Sequence, residues 1–236
     1  MRLGLDLRPE AFWTARRPTD GQATDSQATD GPQPVSAAVD QARQADNLGL
    51  WAVVIGGRPG TEAVRAGEVI AATSNLAVIV DIDLDHEHPF TVAEELSVLD
   101  NLSAGRVGAI LSGTSPERAE QVRAALQGHV ISGAMLAPPP VQTSMTTWLD
   151  THVARRPENV ARQMPWASPG QADLGTDLAT AQVLIDGWRN ASCTHLMAKW
   201  GGSVTLLARH LATRAATVDF PSIVATMADD LFPLDD

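Results

Sequence analysis

Three carboxylates alternate along one short stretch of this chain, Asp81, Asp83 and Asp85, with His86 and His88 close behind. In an extended backbone successive side chains point to opposite faces, so the three acids share one face while Ile82 and Leu84 share the other. Crowded carboxylates raise at least one pKa, which suits acid–base work. With His86 they also have the donor types for a divalent cation and a metal-dependent hydrolysis, although a solvated rim uses the same residues. A second group is Lys199-Trp200-Gly201-Gly202-Ser203, which contains the only lysine of the chain and leads straight into a helical pattern. Glycines let backbone approach a ligand, and a helix N-terminus offers free N–H groups to an anion, so a phosphate is one expectation here. A tight turn with a solvated lysine is the other.

The elements that must carry these groups are marked in the sequence. Leu76 to Val80 is an unbroken apolar run, as in a strand covered on both faces. If Val78, Val80, Ile82 and Leu84 face helices, Asp81, Asp83 and Asp85 face the other way. Pro89 suits the first position of a helix whose buried stripe is Val92, Ala93, Leu96, Leu99 and Leu102, and Gly105 suits its end. Arg106 to Leu111 begins the next strand, completing a β-α-β unit. Upstream, Arg2–Leu7 and Leu50–Ile55 read as strands around a helix from Val35 to Leu48. Thr61 is a candidate cap for a helix with Val64, Gly67, Ile70 and Ala71 inward. Ser115-Pro116-Glu117 opens another helix. His129–Leu136 reads as a strand or an extended segment, Thr146–Asp150 as a strand, and Glu158–Gln163 as a short helix. Met164–Asp173 reads as loop, Leu178–Trp188 as helix and Thr194–Trp200 as strand. Helices Ser203–Arg214 and Pro221–Leu231 close the chain. Pro18–Pro34 carries Gln-Ala-Thr-Asp twice and is expected to be a mobile loop (18–34).

The run from His88-Pro89 through Ala93-Glu94 and Leu99-Asp100 to Leu102-Ser103-Ala104-Gly105-Arg106 resembles the bacterial luciferase-like, flavin- or deazaflavin-dependent oxidoreductases. Pro138-Pro139-Pro140-Val141-Gln142 resembles a second element of that family. The resemblance implies a single domain over 1–236, an α/β fold of the (β/α) TIM-barrel type whose strands close into a ring. A barrel of eight units needs roughly 250 residues, so this one is expected to be shortened, lacking one β/α unit and the family's usual long insertion. The resemblance also implies a homodimer through helices 61–73 and 90–103.

In such a barrel, function gathers at the C-terminal strand ends. The implied cofactor is flavin mononucleotide (FMN) or the deazaflavin coenzyme F420, held by Gly56, Gly57, Arg58, Ser112, Gly113, Lys199, Gly201, Gly202 and Ser203. His86, His88 and His152 are the candidate catalytic proton donors, and Asp6, Asp81, Asp83 and Trp200 the candidate substrate pocket. Family members carry small residues where this chain has Val78, Ile79 and Ile110, and branched side chains there would crowd a stacked ring. The implied activity is a monooxygenase or other oxidoreductase acting on a small organic substrate. The alternative is a non-catalytic barrel that binds a ligand or supports a partner subunit.

A net charge of −11 argues against nucleic acid or anionic lipid as the main partner. One cysteine, Cys193, excludes an internal disulfide and fits a reducing compartment. The N-terminus turns polar too early for a signal peptide, and no apolar run approaches the ~20 residues of a membrane span. These features lead to the expectation of a cytoplasmic protein.

Overall fold

The computed structural model describes residues 1–8, 35–56, 60–150, 153, 156 and 170–215. Gly57, Arg58, His152, the 18–34 segment and the expected helices at 158–163 and 221–231 lie outside the described residues.

Strands and helices alternate: β1 (Arg2–Asp6), α1 (Val35–Asn47), β2 (Ala52–Ile55), α2 (Glu62–Ala72), β3 (Ala77–Asp83), α3 (Pro89–Ser103), β4 (Val107–Ser112) and α4 (Pro116–Leu126). Then come β5 (Thr147–Leu149), β6 (Gly170–Asp173), α5 (Leu178–Asn190), β7 (His195–Lys199) and α6 (Val204–Ala215). All seven strands are parallel, in the order β5-β4-β3-β2-β1-β7-β6. The alternation along β3 divides the core as its pattern requires. Val78, Val80, Ile82 and Leu84 pack outward with helix residues such as Val92, Leu96 and Leu99. Ile79 points inward, where it joins Ala52, Val54, Ile110, Trp148 and Met197. That inner cluster draws on β5 near one sheet edge and β7 near the other, so the sheet curls around it as a (β/α) barrel does.

Among the described residues β5 and β6 are the two edges and are not paired with each other, where closure was expected. Most of the residues between Leu149 and Gly170 lie outside the described ones.

Several local expectations are corrected. Met164–Asp173 is not all loop, because Gly170–Asp173 pairs with Leu196–Lys199. Gly170 fits there because a Cβ would lie 2.7 Å from the Trp188 ring and 2.9 Å from Cys193 Sγ. His129–Leu136 forms turns around an isolated Ile131–Ala134 bridge. The inward face of α2 is Glu62, Ala66, Val69 and Ile70, with Val64 exposed. Thr61 makes no side-chain cap there; its N–H donates to Glu62 Oε2 at 3.0 Å. On α3 the buried stripe is the expected one except for Leu102, which is exposed together with Val98.

Candidate functional site

β1, β3 and β6 each deliver one polar side chain to the inner face: Asp6, Asp81 and Gln171, all buried. Between them lies Arg8, two residues past the end of β1 and only 5% exposed. Its Nε donates to Asp6 Oδ1 at 2.8 Å and Oδ2 at 2.9 Å, and its backbone N–H donates to Asp6 Oδ1 at 3.0 Å. Nη2 pairs with Asp6 Oδ2, and Nη1 reaches across to pair with Asp81 Oδ2. Gln171 Nε2 donates to Asp6 Oδ2 at 3.2 Å, and Ser112 Oγ lies 3.4 Å from Asp81 Oδ1. Burial by itself lowers an arginine pKa, but here the charges and hydrogen bonds of Asp6 and then Asp81 raise it above its ordinary value. The guanidinium therefore stays charged at any pH at which the protein folds.

Gly56, at the end of β2, makes room for this group. A Cβ there would lie 3.0 Å from both Cγ and Cδ of Arg8 and 3.4 Å from Cβ of Asp81. Of the residues expected to face the mouth, Asp6, Asp81, Ser112 and Gly56 thus converge on Arg8. The end-of-strand sequence Asp6-Leu7-Arg8 was legible, but nothing in its spacing showed that Arg8 folds back across the barrel.

The remaining acids part from Asp81 because β3 ends at Asp83. Asp83 accepts from the Asp85 N–H at 3.0 Å and lies 3.4 Å from His86 Nδ1. Asp85 is exposed and turns toward the next loop, accepting from Thr114 N–H and Oγ1 at 2.9 and 2.8 Å. Those bonds hold its pKa below the ordinary carboxylate value. Gly113, with φ +136, allows this approach, since a Cβ would lie 3.1 Å from Asp85 Oδ1. His88 caps α3, its Nδ1 accepting from Phe90 N–H at 3.2 Å. His86 and His88 are both exposed. Among the described residues no group of three or more histidine, cysteine, aspartate or glutamate side chains is arranged to hold a metal ion.

At the far side of the mouth, β7 ends at Lys199, which pairs in register with Asp173. Gly201 N–H donates to Gly175 O at 2.9 Å, so the loops after β6 and β7 are tied together. A Cβ on Gly201 would lie 2.9 Å from Thr176 Cγ2, and one on Gly202 would lie 2.7 Å from the Trp200 ring. Trp200 is partly buried, and its Nε1 is enclosed without a hydrogen-bond partner among the described residues. Ser203 O accepts from Leu206 and Leu207 N–H, starting α6.

The signature stretch has a different geometry. Asp100, fully buried, accepts from Gln142 N–H at 2.9 Å and Gln142 Nε2 at 2.6 Å. The same Nε2 lies 2.7 Å from Val107 O. Ser97 Oγ donates to Pro138 O at 2.7 Å, and Asn101 Nδ2 to Pro139 O at 2.8 Å. Arg106 donates to Leu76 O at 2.7 Å and Thr73 O at 3.1 Å, satisfying carbonyls at and beyond the end of α2. The two sequence elements that carry the resemblance are thus bonded to each other.

The family model described as luciferase-like monooxygenase matches residues 13–130, half of the chain. The chain belongs to the luciferase-like monooxygenase family. No curated protein matches it. Among solved structures, apo-MsnO8 resembles this luciferase-like chain with a TM-score of 0.62 at 13% identity, covering 89% of this chain and 98% of MsnO8. The monooxygenase RslO1 from Streptomyces bottropensis gives 0.48 at 17% identity, over 81% of this chain and 66% of that one. The coenzyme F420 dependent tetrahydromethanopterin reductase from Methanopyrus kandleri gives 0.47 at 11% identity, over 84% and 65%. This luciferase-like chain therefore spans just under two thirds of the length of those two proteins, whereas its match to MsnO8 takes in nearly the whole of that chain.

The residues present do not fit a flavin or deazaflavin ring lying on the inner strand ends. Ile79 and Ile110 are closed into the inner core, and above them Arg8, Asp6, Asp81 and Gln171 fill the mouth. Val78, expected to crowd the ring, instead packs outward among the helices. Buried carboxylates such as Asp6 and Asp81 also make a poor lining for a phosphorylated, electron-rich ring. The space beside Gly201 and Gly202 is taken by Thr176 and Trp200.

Proposed function

We propose that this luciferase-like chain is a non-catalytic member of its family, a barrel that binds a ligand or supports a partner subunit and holds no flavin ring in its mouth. The observation that carries this reading is the Arg8 side chain, buried between Asp6 and Asp81 where a cofactor ring would rest. Displacing it would break the buried ion pairs with Asp6 and Asp81, at a cost of about 3–5 kcal/mol. Few ligands of ordinary affinity supply that in addition to their own binding. The test is titration of the purified chain with FMN and with F420, followed by visible absorbance and fluorescence quenching. A colourless protein that leaves both cofactors unquenched at tens of micromolar supports the reading, and saturable binding overturns it.

A second reading, an FMN- or F420-dependent oxidoreductase of a small organic substrate, is favoured by family membership. It is also favoured by the Gly201-Gly202-Ser203 turn, which delivers the N-terminus of α6 to the strand ends. In that reading Lys199 and Ser203 lie nearest the phosphate. The same titration decides between the two.

The quaternary reading rests on α2 and α3, which expose Val64 at 66%, Val98 at 46% and Leu102 at 67%. A homodimer through these helices would bury them. Sedimentation of the wild-type chain is expected to give a dimer and that of Val64→Asp/Leu102→Asp a monomer. A monomeric wild type would remove the dimer from the account.

A further inference from the structure

Glu62, the first residue of α2, is only 4% exposed, an enclosure that a carboxylate ordinarily meets with a cation. Here it meets other acids. Its Oε2 accepts from Thr61 N–H at 3.0 Å. Glu87 Oε1, from the loop between β3 and α3, lies 3.7 Å from where a Cβ on Gly60 would stand. Two carboxylates from different elements thus close on the same Gly60–Thr61 peptide. Asp81 on β3 turns a further negative charge toward Glu62, and Glu95 on α3 turns one toward Glu87. The neighbouring cations reach other groups. Arg8 pairs with Asp6 and Asp81, Arg65 Nη1 donates to Gly56 O at 3.1 Å, and Arg118 Nη2 donates to the backbone carbonyl of Glu87. Among the described residues neither Glu62 nor Glu87 has an ion pair.

We propose that the contact between the start of α2 and the β3–α3 loop is proton-operated, closed while Glu62 carries a proton and loosened when Glu62 ionises against Glu87 and Asp81. It lies past the ends of β2 and β3, so a proton bound there sets how tightly two loops beside the mouth are held, whichever reading of the mouth holds. The neutral acid still accepts from Thr61 N–H and gains an O–H donor, which a neighbouring carboxylate can accept. Burial raises the Glu62 pKa above its ordinary value against the N–H groups of Glu62 and Thr61, and Glu87 and Asp81 add to the rise. Below the ordinary glutamate range Glu62 is protonated whether the contact is closed or open. Above the raised value the closed form must enclose a charge. Closure is therefore complete in acid and is lost as pH rises. The adjacent Asp85–Thr114 contact has the opposite sense, since its lowered carboxylate is protonated only in stronger acid.

The test follows hydrogen exchange of the 61–65 amides in the full-length chain, corrected for the intrinsic rate at each pH. Protection in the wild type is expected to fall about threefold or more between pH 4.5 and pH 7.5, as local opening becomes easier. In Glu62→Gln it is expected to stay level, and in Glu87→Gln the fall is expected to be smaller and to begin at higher pH. A carbon-13 titration of the Glu62 carboxyl in the wild type needs no variant, and its midpoint is expected above the ordinary 4.5. A midpoint at or below 4.5, level protection in the wild type, or a fall of equal size in Glu62→Gln overturns the proposal.

Discussion

The mouth of the barrel and the frame around α3 are built from the same kinds of polar residue and use them in opposite ways. Around α3, each polar group of the signature braces the scaffold next to it. His88 starts the helix, Asp100 grips Gln142, and Arg106 satisfies carbonyls at and beyond the end of α2. At the mouth, Arg8, Asp6, Asp81 and Gln171 span strands that are not neighbours, drawing β1, β3 and β6 together. The frame needs only its own stretch, the end of α2 and the segment that crosses it. The mouth network needs the whole curl of the sheet, and it also ties β6, an edge strand among the described residues, to the centre. A family signature made of helix caps and braces therefore reports the scaffold and leaves the chemistry of the mouth unspecified.

The largest effect expected from this contrast is at the mouth. Asp81→Asn breaks the buried ion pair with Arg8 and is expected to cost about 3–5 kcal/mol in urea unfolding. A loss below about 1 kcal/mol would place the pair in solvent, where ion pairs contribute little. Next comes the frame. Asp100→Ala strands the N–H and Nε2 donors of Gln142 and is expected to cost about 2–3 kcal/mol. Loss of the Pro138–Gln142 crossing should then show as early hydrogen exchange over that segment alone. His88→Ala removes one helix cap and is expected to cost about 1 kcal/mol. A His88→Ala loss as large as that of Asp81→Asn would erase the distinction between the two regions.

A smaller effect belongs to the opposite end of the barrel, where His195 lies with its ring centroid 4.4 Å from that of Trp51. Burial, with help from Arg2 and the N-terminus, lowers its pKa to about 4 from the ordinary 6.5. The unfolded chain therefore binds the extra proton first. The stability contributed by neutral His195 is fully present above pH 6.5 and is lost as pH falls toward 4. Melting temperature is expected to decline over that interval, and His195→Gln is expected to flatten the decline. An unchanged slope would remove His195 from the account.

Much of this architecture was legible in the sequence, for reasons that are local. The apolar run at Leu76–Val80, the Pro89 start and the Gly105 stop mark a β-α-β unit without reference to the rest of the chain. β6 was not legible, because Gly-Gln-Ala-Asp has neither alternation nor branched residues, and its strand form is imposed by β7 beside it and Trp188 above it. Val64 and Leu102 fit a helical stripe by spacing, yet they lie on its outer margin, where a few tens of degrees decide between core and solvent. Asp81, Asp83 and Asp85 alternate as a strand would, but the strand ends at Asp83, so only Asp81 remains on the inner face. Arg8 was the least legible of all. Its role depends on partners 73 and 163 residues away along the chain (Asp81 directly, and Gln171 through Asp6), and no spacing rule reaches across that distance.

The account turns on whether the Arg8 guanidinium is enclosed between Asp6 and Asp81, and nitrogen-resolved NMR of the arginine side chains reads that directly. One Nε–H resonance, lost in Arg8→Lys, is predicted to exchange with solvent far more slowly than those of the exposed arginines at neutral pH, with its Nη protons resolved by hindered rotation. An Arg8 Nε–H that exchanges as fast as the exposed ones would contradict the account, because the mouth would then be open.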